Sequence, residues 1–274
     1  QGNLLIGITY EDKEIAKLYR ADNKLNNQTV ERSTQSTLIE LNYGITDRLT
    51  ISGTATYVRK RRLGLQSNDE LVTNGIGDGL VLLKYVLHQN RIKEQYQLAV
   101  GGGVKIPLGR SSLTNDGIAL NLDMQPGTGA WDGVAWSYFS KTFAPASTIN
   151  LFLFSTFRAT GNTERFTKND NYKFGNELLV NIGATNDITS NLSYIGIVSY
   201  RSTSSDQQSN NKLPNTVGKW VNIEPALQYQ LTDGLSIKAS GNIPVYQYLN
   251  GLQPTTSYTA SLSLFYNFGK KAIF

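Results

Sequence analysis

The sequence predicts an all-β fold: one antiparallel up-and-down transmembrane β-barrel of about 12 strands, with residues 1–274 forming a single domain. Three observations carry that reading. Apolar and polar residues alternate with a two-residue period along nearly the whole chain, most cleanly in the closing run YTASLSLFYNF. The alternating segments are about 8 to 12 residues long, the length a tilted strand needs to cross a bilayer and more than the roughly five or six of an ordinary globular strand. Short turns and long polar connections strictly alternate, as they do when a barrel carries turns at one end and loops at the other.

Composition agrees. Of 274 residues 39% are hydrophobic and only 17% charged, with 15 Tyr and 25 Gly, which suits a β-rich chain with many turns. No run approaches the roughly 18 consecutive apolar residues of a transmembrane helix. Cysteine is absent, which removes disulfides and thiolate metal sites. The first residue is Gln1 rather than Met, and a cleaved signal peptide is the expectation that follows.

Taken in order, the predicted strands are Leu4–Ile15, Thr37–Tyr43, Leu49–Tyr57, Gly79–Leu87, Gln97–Ile106, Gly133–Phe143, Ile149–Arg158, Phe174–Ala184, Leu192–Arg201, Trp220–Leu231, Leu235–Ile243 and Tyr258–Phe268. GITDR, TNDITS and LTDGL are tight hairpin turns, placing Asp47, Asp187 and Asp233 at the periplasmic end. The long segments RKRRLGLQSNDELVTNG, LGRSSLTNDGIALNLDMQPGTG, TGNTERFTKNDN, STSSDQQSNNKLPNTVG and PVYQYLNGLQPTT are external loops. The strand faces are clear in most elements. Leu49, Ile51, Ala55 and Tyr57 oppose Thr50, Ser52, Thr54 and Thr56, and Leu235, Ile237, Ala239 and Ile243 oppose Ser236, Lys238, Ser240 and Asn242. The apolar set faces lipid and the polar set the lumen. In the last strand Phe265 is the one apolar residue on the polar face; the strand ends at Phe268, with Gly269, Lys270 and Lys271 opening a periplasmic tail. Pro225 removes a ladder donor, and a bulge is expected there. A soluble lipocalin-like or sandwich fold would need the faces reversed and has no reason to segregate its loops.

The motifs LNYGITDRLTISGTATYV, NGIGDGLVLLKYVL, VGGGVKIPLGR and DMQPGTGAWDGVAWSYFSKTF occur in this order and spacing. The chain here resembles the outer-membrane barrel family of the meta-pathway of phenol degradation, over roughly Leu38 to Phe143 by motif and beyond it by strand pattern. The resemblance implies a bacterial outer-membrane location and passage of small aromatic or apolar compounds. It brings no catalytic residues.

Other constellations read differently beside their plain explanations. GIGDG and GGG lack the following helix that a phosphate loop needs, so glycine relieving crowding in the wall is the better account. His88 is the single histidine, beside a turn and without a Gly-x-Ser-x-Gly elbow, so neither a lipid-facing hydrolase nor a metal site is supported; the prediction is a non-enzyme with no cofactor. Parity places Glu40, Asp78, Lys84, Lys105, Lys141, Arg158, Glu177, Arg201, Glu224 and Lys238 inside, because Arg or Lys on the lipid face costs about 2–4 kcal/mol at midplane. They form either a salt-bridged plug or the lining of a path, since about 12 strands allow both. Arg59, Lys60, Arg61 and Arg62 open an external loop: a solvated charge run, or a site for lipopolysaccharide phosphates. Nucleic acid is not an expected partner, because stacking aromatics do not continue the patch. Tyr246, Tyr248, Tyr258, Trp131, Trp136 and Trp220 form a headgroup girdle or a surface for an aromatic solute. Two functions remain: a channel for small compounds, or a closed accessory barrel with protein partners in an envelope complex.

Overall fold

The computed structural model describes residues 2–25, 31–64, 70–90, 95–143, 149–164 and 171–269. Twelve strands make the wall: β1 (Leu4–Ile15), β2 (Glu31–Gly44), β3 (Leu49–Leu63), β4 (Gly79–Asn90), β5 (Tyr96–Ile106), β6 (Asp132–Thr142), β7 (Asn150–Thr160), β8 (Glu177–Asp187), β9 (Leu192–Thr203), β10 (Gly218–Gln230), β11 (Leu235–Thr255) and β12 (Tyr258–Phe268). Each pairs antiparallel with the next, and β12 returns to β1 from Leu4↔Phe268 to Glu14↔Tyr258. Closure leaves no wall strand with a free row of backbone donors and acceptors, which is what lets strands stand in lipid.

The faces follow the period. On β12, Leu262 is 52% exposed and Ser263 3%, so the apolar set looks out and the hydroxyl set in. Ile8, Ile39, Ile51, Leu83, Leu151, Ile182, Val198 and Leu227 carry the outer belt around the wall. At the periplasmic end the turns after β2, β8 and β10 use Thr46, Thr189 and Thr232, whose hydroxyls accept from the backbone N–H three residues on.

The external end is more ordered than its polar sequence suggests. Strand β3 runs on to Leu63 and pairs with a short strand, Glu70–Ile76, so Arg59–Arg62 lie on a strand and not in a loop; Ser67 lies outside the described residues. PVYQYLNGLQPT likewise belongs to β11, which is 21 residues long, bends through Gly251 at φ 76° and pairs with Lys17–Ala21. Asn162–Glu164, Asn171–Lys173, Asp206–Gln208 and Asn211–Leu213 form a separate four-stranded sheet above the wall. Lys270 and Lys271 of the tail lie outside the described residues.

Two further expectations are corrected. Strand β6 has the opposite phase: Trp136 and Tyr138 point inward, and Lys141 points outward with Phe139, its Nζ 5.5 Å from the Phe143 ring. The reason lies next door. Trp136 pairs with Gly101 and Tyr138 with Ala99 on β5, and a Cβ at Gly101 would collide with the Trp136 ring. The inward glycines of β5 leave the room those aromatics fill. Phe265 sits inside on the same principle, over Gly7 of β1. The second correction concerns Pro225. The bulge falls between Val221 and Asn222 instead, and at Glu224–Pro225 the β10–β11 ladder is interrupted: Ile223 pairs with Ile243, the next pair is Ala226 with Ser240, and nothing is paired between.

Candidate functional site

The lumen is built from inward side chains on an otherwise regular wall, and charge dominates its external half. Lys105 pairs in register with Asp132, and its ammonium lies 2.8 Å from Asp132 and 3.2 Å from Asp78. Asp132 faces Arg158 at 3.9 Å, Arg158 faces Glu177 at 3.7 Å, and Glu177 receives Arg201 at 2.6 Å. Arg201 then lies over the Trp220 ring, 4.9 Å from its centre. Acid and base thus alternate from Asp78, just before β4, across five neighbouring strands, β5 to β9. Asp132 has only 2% of its side chain exposed, and desolvation at that depth is offset only because each charge meets its opposite.

A loop fills the mouth beside this belt. Within residues 107–131 the segment 122–128 folds inward, burying Met124 and Gln125, while residues 114–118 stay exposed. The Gln125 side chain accepts from Leu113 N at 2.8 Å and donates to the carbonyls of Leu113 and Leu120, both at 3.0 Å. Neighbouring elements pin the loop at four points. Lys60 Nζ donates to Gln125 O at 2.6 Å, Thr73 Oγ1 to Met124 O at 2.6 Å, Arg32 meets Asp123 at 2.8 Å, and Thr128 N donates to Asp78 at 3.0 Å. The basic run is therefore split by parity: Lys60 and Arg62 point inward, while Arg59 and Arg61 point outward, Arg61 paired with Glu70 at 2.6 Å.

The periplasmic half is lined differently. Lys84 lies over Tyr138 at 5.9 Å and Lys238 over Phe265 at 5.6 Å, so these cations rest on inward aromatic faces. Glu40 accepts from Asn42 Nδ2 at 2.6 Å, and Glu224 accepts from the Asn242 amide. Phe152 and Phe154 add to the inner aromatic set.

Nine of the ten residues placed inside by parity are inside; Lys141 is the exception. Asp78, Lys105, Arg158, Glu177 and Arg201 come together in the belt, whereas Glu40, Lys84, Glu224 and Lys238 stand apart from it. The sequence reading missed Asp132, the belt's central acid, because the wrong phase for β6 pointed it outward. It also missed Glu11 and Lys13, whose inward parity on β1 is hidden within the charged run EDKE. Among the aromatics, Tyr246, Tyr248 and Tyr258 are exposed on the outer face as a girdle requires, but Trp136 and Trp220 lie inside. His88 stacks on Tyr96 at 5.2 Å beside the β4–β5 turn.

The interrupted ladder at Pro225 divides two spaces. Inside lies a cavity of about 320 Å³ bounded by Lys13, Arg201, Trp220, Asn222, Glu224 and Gly241. Outside is an apolar notch of about 570 Å³ where Gly196, Pro225 and Gly241 stand side by side on β9, β10 and β11, between Tyr194 and Leu227. Glu224, Ser240 and Gly241 border both. Proline supplies no donor and the glycines supply no side chain, so the wall is thinnest here.

A closed twelve-stranded barrel with an apolar belt, periplasmic turns and a polar lumen defines an outer-membrane β-barrel protein. The chain belongs to the family described as "Putative MetA-pathway of phenol degradation", whose model matches residues 28–251. Its structure is similar to that of an outer membrane channel from Pseudomonas putida F1, at TM-score 0.79 and 14% identity over 97% of this chain and 96% of that one. It also resembles the translocator domain of the autotransporter NalP from Neisseria meningitidis, at TM-score 0.52 and 7% identity over 97% and 88% of the two chains. The transport unit of the Escherichia coli autotransporter AIDA-I follows at TM-score 0.51 and 13% identity over 97% and 90%. No curated protein matches the sequence.

Proposed function

We propose that this barrel is a channel that admits small apolar or aromatic compounds across the outer membrane, by way of the lumen cavity and the interrupted wall at Pro225. The observation that carries the reading is the pairing of a lumen cavity with an apolar notch across a stretch where the ladder is broken. A polar solute gains nothing from such a route, whereas an apolar one moves from the lumen to lipid without crossing bulk water. The paired belt and the inward loop argue in the same direction, because they fill the mouth that a general hydrophilic pore would keep open. The outer residue Arg59 stands one pleat above Tyr57 of the girdle, at the level where lipopolysaccharide phosphates meet the wall, and is assigned to that contact.

Ala226 and Ser240 are direct partners just below the break. The double variant Ala226→Cys/Ser240→Cys staples the two strands when oxidised, in a chain with no other cysteine. Proteoliposomes holding the reduced form are expected to take up toluene, with loss of most uptake on oxidation and recovery on reduction. Equal uptake by oxidised and reduced protein would sink the lateral route. A barrel inert toward every apolar probe would instead support the closed accessory reading.

A further inference from the structure

The lumen cavity carries a feature that a route for neutral compounds does not use. Lys13 points into it from β1, and Arg201 points into it from β9. Among the described residues Lys13 has no acidic side chain within ion-pair distance. Arg201 has one, Glu177, which Arg158 already shares. Two cations thus face this space, and the carboxylates of Glu11 and Glu224 line it as well. The wall around them is hydrogen-bonding and apolar by turns: Asn181, Ser199 and Asn222 form a row in register across β8, β9 and β10, and Trp220 and Leu179 stand one pleat above.

We infer that this cavity binds a small organic carboxylate, with Lys13 and Arg201 holding its carboxylate group and its apolar body extending toward the break at Pro225. The inference rests on the reading of the barrel as a channel and names the substrate class for it. Charge supplies the first reason. A monoanionic ligand gives Lys13 the direct ion pair it lacks, through a charge-assisted hydrogen bond, the stronger kind. Direction supplies the second. Glu11 lies one pleat below Lys13, and Glu224 stands beside the break, held by the Asn242 amide. A carboxylate is attracted to Lys13 and Arg201 and repelled by Glu11 and Glu224, so the ligand enters one way round. Shape supplies the third. The cavity of about 320 Å³ accommodates an aromatic acid or a short-chain aliphatic acid, and its lower border is shared with the apolar notch outside. An amphipathic acid bridges the two environments, polar head above and hydrocarbon toward lipid.

Benzoate and the neutral benzyl alcohol are the probes, titrated calorimetrically into the purified full chain in detergent. Benzoate is expected to bind at least tenfold more tightly than benzyl alcohol. Lys13→Gln is expected to weaken benzoate by about tenfold and leave benzyl alcohol unchanged, while Lys13→Arg retains benzoate binding. Heat-modifiable migration of each variant shows that the barrel is folded, which separates a binding defect from failed assembly. Equal affinity for the two probes, or benzoate binding indifferent to Lys13→Gln in a folded barrel, would overturn the assignment. Transport is read separately. Toluene uptake without carboxylate preference leaves the channel standing and removes this inference. Tight, Lys13-dependent benzoate binding with no uptake of any probe supports the site and removes the channel.

Discussion

At the residue scale, burial decides which charges matter. Lys105 and Asp132 have 10% and 2% of their side chains exposed, and each would be prohibitively costly alone. Replacing Asp132 with Ala leaves Lys105 with Asp78 as its one acid, beside the Thr128 hydroxyl, and takes one acid from Arg158. It is expected to cost about 3 kcal/mol, the lower end for breaking a buried pair, and to lower the temperature at which the barrel loses its compact electrophoretic form. Lys141→Ala is the contrast. That side chain lies outside on β6 beside Phe143, and its removal is expected to shift the same transition by less than about 1 kcal/mol. If the two variants melt alike, the phase assigned to β6 is wrong. Lys141 also shows where residue-level reading fails. GVAWSYFSKTF has large apolar residues on both parities, so periodicity alone cannot choose a face. The choice was nonetheless present in the neighbouring GGG run, which clears space on the inner side of β5 for Trp136 and Tyr138.

At the scale of elements, the inward loop is the unit with the clearest test. Gln125 binds residues on both sides of the loop's turn, and its own carbonyl is gripped by Lys60. Gln125→Ala strands the Leu113 N–H and the Leu120 carbonyl, each costing about 1–3 kcal/mol if left unpaired, while the Leu113 carbonyl keeps Leu120 N. The expected outcome is a folded barrel whose 107–131 segment is nicked by protease much faster than in the parent, with greater ion conductance in planar bilayers. A protease-resistant loop and unchanged conductance would show that the wall contacts of Arg32, Thr73 and Asp78 suffice. Strand extents were only partly legible here. The basic run and PVYQYLNGLQPT read as loops because they are polar, yet above the membrane a strand has no need of an apolar face. Once the lipid constraint ends, alternation ends with it, and only backbone pairing shows that the strand continues.

At the scale of the molecule, the arrangement of ends fixes topology. The short turns bearing Asp47, Asp187 and Asp233 lie at one end and the loops at the other, so Asp47→Cys is expected to resist a membrane-impermeant maleimide on whole cells while Asp116→Cys, at an exposed loop tip, reacts. The reverse pattern would invert the barrel. That this chain is a closed membrane barrel, how many strands cross, and which face of nearly every strand meets lipid are all legible in the residue pattern alone. Those properties follow from local rules, because a period of two and the cost of charge in hydrocarbon act on each strand separately. Folding in three dimensions adds that six charges, five on neighbouring strands and Asp78 just before β4, form one belt, that a loop returns into the mouth, and that Gly196, Pro225 and Gly241 align to thin the wall. These depend on register and shear between strands far apart in sequence, which periodicity within a strand does not encode.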